Sequence, residues 1–175
     1  MSEHDRLLQL YRERVAGYGE LRDDWPRWCR KVLAHGGELV VPPRIPDPDL
    51  GQLLRDCTLH EPPVRSLEQE GNCHGHVAKL WIDGGIDVIG TGYALSDSLW
   101  RQHSWGIGSD GATWETKWAC EQYIGMALPH GEETVRFVLN NYDGDIKDVL
   151  REGKGRAPDI IRVLRAAHER RSGEL

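Results

Sequence analysis

The sequence predicts an α+β fold, in which a central helix packs on an antiparallel sheet and helices flank it at both ends of the chain. Three observations predict it. Apolar residues recur at helical spacing in the N-terminal and C-terminal thirds. The middle third carries three runs of strand character separated by turn signals. Directly before those runs, Val77 to Ile82 forms a short apolar segment with helical rather than alternating spacing.

The elements follow in order. Leu7, Leu8, Leu10, Tyr11 and Val15 form a helical stripe. A second helix runs from about Asp24, with Pro26 in its first turn, to His35, where Gly36–Gly37 stops it. Glu38 to Val41 reads as a short strand. The segment from Pro42 to Pro48 is a rigid connector, because proline lacks the N–H that helix or sheet needs. Leu50 to Leu59 reads as another helix, ended by Pro62–Pro63.

A central helix starts at or beside Cys73 and stops at Gly84–Gly85. Val77, Leu80 and Trp81 lie four, seven and eight residues beyond Cys73, which sets that cysteine on the core-facing stripe at the helix's N-terminal end. The three strands read as Ile86–Ala94, Leu99–Ile107 and Ala112–Trp118, with turns at Ser96–Asp97–Ser98 and Ser109–Asp110–Gly111. An antiparallel meander is the simplest arrangement. Glu132 to Asn140, Ile146 to Glu152 and Pro158 to Arg171 read as helices, the last with Pro158 near its first position. Residues 1–175 read as one domain, with a helical part over 1–60, a helix-and-sheet part over 70–128 and a helical part over 129–175.

Composition narrows the function classes. The net charge of −6 argues against a nucleic-acid binder, which ordinarily presents a basic face. No apolar run reaches the length of a membrane span, and the charged N-terminus lacks the apolar core of a signal peptide. These features predict a soluble, cytoplasmic protein that engages neither membrane nor nucleic acid. Cys29, Cys57, Cys73 and Cys120 match no CxxC zinc pattern and no dense disulfide framework, so they read as thiols, and no cofactor is expected. Seven tryptophans stand against one phenylalanine, and four of them fall between Trp100 and Trp118, so the bulk of the core is concentrated around the strands.

A thiol becomes nucleophilic when it loses its proton, and two features promote that. The start of a helix supplies partial positive charge. A neighbouring histidine takes the proton. Cys73 meets the first condition. His103 lies in the middle of its strand, on the alternation face shared with Trp105 and Ile107. Glu115, on the next strand, is the candidate for orienting the imidazole.

Whether Glu115 faces His103 depends on the hairpin. A two-residue Asp110–Gly111 loop pairs Ser109 with Ala112 and turns Glu115 away. A three-residue Ser109–Asp110–Gly111 loop pairs Gly108 with Ala112 and sets Glu115 opposite Trp105, diagonal to His103 on the same face. Glycine in the third loop position favours the latter, because that position takes a left-handed backbone.

Asn72–Cys73–His74, then His103–Ser104–Trp105, then Trp114–Glu115–Thr116, resembles the papain-like cysteine enzyme superfamily, most closely its transglutaminase-like branch. The resemblance spans Gly71 to Thr116, about a quarter of the chain. It implies acyl transfer through a thioester, with Cys73 as nucleophile, His103 as base and acid, and Glu115 as orienter. The substrate would be an amide, ester or thioester of a small molecule, peptide or protein. Two departures stand out. The branch usually carries aspartate followed by proline where this chain has Glu115–Thr116, and Gln69 lies nearer the cysteine than the papain-type oxyanion glutamine does. Asn72, Gln69, His74, His76 and Trp105 are the candidates for oxyanion and pocket roles.

Two other readings compete. The same fold can serve as a binding module without catalysis. Cys73, His74, His76 and His103 also form a mixed set of the kind zinc accepts, although two histidines two residues apart on a helix start point in different directions.

Overall fold

The computed structural model describes residues 2–173. Its helices are α1 (Glu3–Ala16), α2 (Asp24–Leu33), α3 (Leu50–Asp56), α4 (Cys73–Ile82), α5 (Glu132–Asn141), α6 (Ile146–Glu152) and α7 (Ala157–Gly173). Its strands are β1 (Leu39–Val40), β2 (Thr58–His60), β3 (Arg65–Ser66), β4 (Val88–Ser96), β5 (Leu99–Ile107), β6 (Thr113–Glu115) and β7 (Gln122–Ala127). The strands form one mixed sheet in the order β2-β7-β4-β5-β6-β3, with β1 also paired to β5. No helix among the described residues is long and apolar enough to cross a membrane.

The α+β expectation holds, and the sheet differs from a simple meander. β4, β5 and β6 do follow one another, but β1 runs parallel to β5 and β3 runs parallel to β6. β1 falls inside the short strand expected over Glu38–Val41, whereas β3, two residues long, is too short to carry an alternation pattern. The helix expected over Leu50–Leu59 ends at Asp56. Thr58–His60 is instead a strand antiparallel to β7.

Contacts group the chain into two compact units. The first gathers the chain up to Pro62 with Gly92–His103 and Cys120–Met126. The second gathers Pro63–Thr91, Ser104–Ala119 and the chain from Ala127 onward.

In the first unit the core is aromatic. Trp28 packs on Tyr93 at 5.2 Å between ring centroids, and Trp25 meets Tyr18 edge-on at 5.7 Å. α2 ends at Leu33, two residues before the expected His35, and the Nε1–H of Trp100 donates to the carbonyl of Gly36 beyond it at 2.8 Å, which satisfies a fully buried indole.

The second unit is built on α4. Cys73, Val77 and Trp81, each four residues apart, are buried, and so are Ala78 and Ile82. Trp105, fully buried, lies over Gly90: a Cβ at position 90 would stand 2.2 Å from the indole Nε1. That glycine is the vacancy into which the ring fits. Gly90→Ala is therefore expected to destabilise the protein by about 2–3 kcal/mol, read from urea denaturation. An unchanged midpoint would contradict this packing.

Candidate active site

The turn between β5 and β6 comes first, because it sets which side chains share a face. The Gly108 N–H donates to the Ala112 carbonyl at 2.9 Å, and the Gly111 N–H donates back to the Gly108 carbonyl at 2.9 Å. Gly111 has φ +79°, the left-handed conformation that glycine adopts without cost. The Asp110 carboxylate accepts from the Ala112 N–H at 3.0 Å. This is the three-residue loop. Gly106 pairs with Trp114 and Ile107 with Thr113, which sets Glu115 opposite Trp105.

Glu115 is fully buried. Burying a carboxylate is costly unless donors meet it. One such donor is the Lys117 N–H, at 2.8 Å from Oε1. The strand is also clamped along its outer edge: Val64, Leu67 and Gln69 donate backbone N–H groups to the carbonyls of Thr113, Glu115 and Thr116 at 2.9–3.0 Å. Gln69 itself is exposed, and Glu68 beside it has φ +51°, an unusual left-handed backbone for a side-chain-bearing residue.

His103 is 8 % exposed, and its ring lies 6.0 Å from that of Tyr123. The Tyr123 hydroxyl accepts from the Cys120 N–H at 2.8 Å, which fixes the chain where it enters β7. One ligand atom from each of His103, Glu115 and Cys120 lies within 4.8 Å of the other two. Histidine and glutamate are the pair expected from their strands. Cys120, which the sequence marks only as a thiol, lies beside them.

Cys73 is the first residue of α4 and is 8 % exposed. The entry into the helix explains the run Gly71–Asn72–Cys73. Gly71 has φ +109°, in the left-handed region. Asn72 is the N-cap, with an extended backbone and a side-chain carbonyl that accepts from the His74 N–H at 3.1 Å. Gly75 lets the first turn close on the end of α5, since a Cβ there would meet the Asp143 carboxylate at 3.0 Å.

The other candidates separate by role. His74 Nδ1 lies 2.6 Å from the Ser104 hydroxyl, and its ring meets Phe137 edge-on at 6.3 Å. It thereby ties the first turn of α4 to β5 one residue after His103. His76 Nδ1 is buried without a hydrogen-bond partner among the described residues. Trp105 is core. The zinc set of Cys73, His74, His76 and His103 is not the group that gathers at metal-binding spacing; His103, Glu115 and Cys120 are. None of the four cysteines is in a disulfide.

No family model, no curated protein and no solved structure matches this chain.

Asn72→Ala is expected to cost about 1 kcal/mol of stability through loss of the cap, with Asn72→Asp retaining it. Urea denaturation of both variants checks this. Equal losses would show that the cap bond to His74 does not stabilise the helix.

Proposed function

We propose that the chain is a cysteine-dependent acyl-transfer enzyme on a papain-like, transglutaminase-like arrangement, with Cys73 as nucleophile, His103 as base and acid, and Glu115 as orienter. The observation that carries the reading is the His103–Glu115 pair. A histidine ring nitrogen and a buried carboxylate oxygen stand within 4.8 Å, on a face set by the hairpin register. A carboxylate in that position fixes the imidazole and stabilises its protonated form. The place of Cys73 at the start of a ten-residue helix supplies the second requirement, a field that favours thiolate.

The reaction runs in two halves. The Cys73 thiol passes its proton to His103, and Sγ attacks the carbonyl carbon of the substrate. When the tetrahedral adduct collapses, the bond to the leaving amine, alcohol or thiol breaks, and His103 returns the proton to it. An acyl thioester remains on Cys73. Water, or an acceptor amine, then attacks with His103 again as base, and the thiol is regenerated. Hydrolysis is the default outcome, because water is the acceptor always present.

A second reading rests on Cys120. With His103 and Glu115 it offers a nitrogen, an oxygen and a sulfur donor, a set that zinc takes with an open fourth position. Under that reading Cys73 has no chemical role, and Cys120→Ala removes bound zinc.

Iodoacetamide labelling at pH 6 tests the first reading. An ordinary thiol is only about 0.3 % thiolate there. Cys73 is expected to label at least about tenfold faster in the wild type than in His103→Ala, with Glu115→Gln in between. Equal rates in all three proteins would overturn the assignment.

A further inference from the structure

The N-terminal helix does not pack as its sequence suggests. Leu8, Tyr11 and Val15 form the apolar stripe of α1, yet the helix contributes no buried residue. The stripe faces a groove of about 420 Å³, within the usual range of small-molecule sites. The opposite wall is apolar too, made of Trp25 and Leu33 from α2 and Val40 from β1.

The groove is held open at one end. The Arg14 guanidinium donates to the Pro42 carbonyl at 3.1 Å, and the Tyr18 hydroxyl donates to the Pro43 carbonyl at 2.6 Å. The end of α1 and the turn after it are thus fastened to the proline connector. The stripe gains full burial only if something fills the space.

The polar groups on the groove are of one sign. Arg12 and Arg22 both line it, both are exposed, and neither guanidinium makes a hydrogen bond or ion pair among the described residues. No aspartate or glutamate lines it. Cys29, on the α2 wall, is kept neutral because burial pushes its thiol up to about 11. The surface is therefore an apolar slot with two unpaired guanidiniums at its rim.

We propose that this groove binds an aliphatic carboxylate, with the alkyl chain lying between α1 and α2 and the carboxylate held by Arg12 and Arg22. A guanidinium fork matches a carboxylate in two parallel hydrogen bonds, and a cationic or neutral head gains nothing from it. The inference does not depend on the acyl-transfer reading, since it uses neither Cys73 nor His103.

Decanoate below its micellar concentration is the probe, with decyltrimethylammonium as the chain-matched cation. Binding is read by calorimetry, and by protection of Cys29 from N-ethylmaleimide with peptide mass spectrometry. Decanoate is expected to bind at least tenfold tighter than the cation and to slow Cys29 labelling several-fold at saturation. Arg12→Gln with Arg22→Gln, both at exposed positions, should weaken decanoate about tenfold without lowering thermal stability. Val15→Trp, which fills the slot from its half-buried rim, should abolish binding. Equal affinity for the two head groups, or Cys29 labelling unchanged at saturating decanoate, would overturn the proposal.

Discussion

The constraint on which the candidate site depends is the parity of one hairpin. Side chains on a strand alternate with period two, so a slip of one residue between β5 and β6 would carry Glu115 to the opposite face. The turn prevents that slip. Gly111 takes a left-handed backbone, Asp110 caps the Ala112 N–H, and Gly108 closes the loop to Ala112. The buried carboxylate then falls opposite Trp105, on the face that also carries His103.

Around that hairpin, small residues permit close approach. Gly90 admits Trp105 above β4, and Gly75 admits the end of α5 against the first turn of α4. Gly71 and Asn72 set the entry into that helix, so the position of Cys73 follows from backbone geometry and one cap bond. His74 then ties the turn to Ser104, the neighbour of His103. Neutral hydrogen bonds of this kind each contribute about 1 kcal/mol net, and their larger effect is to fix geometry.

How much of this was legible in the sequence follows from where local rules apply. β5 is long and spans the residues its sequence pattern marks, Leu99 to Ile107, although His103 to Gly106 are buried on both faces. The start of α4 and the three-residue turn were readable from glycine placement. β1 and β3 join as parallel pairs of two residues each, and pairing between segments far apart in the chain leaves no local trace. Cys120 was missed for the same reason. It lies between β6 and β7: the strand expected over Ala112–Trp118 ends at Glu115, and the neighbours of Cys120 are fixed by the path of the chain beyond it and by the Tyr123 hydroxyl.

Under the proposed acyl transfer, Cys73 carries an acyl group and His103 is needed for it to do so. The most direct test is trapping with p-nitrophenyl acetate, a small activated ester that any accessible thiolate can open. The expected result is a burst of about one equivalent of p-nitrophenolate, an acetyl group mapped by peptide mass spectrometry to Cys73, and loss of both in His103→Ala. No burst, or an acetyl group found on Cys120 with Cys73 unmodified, would contradict it.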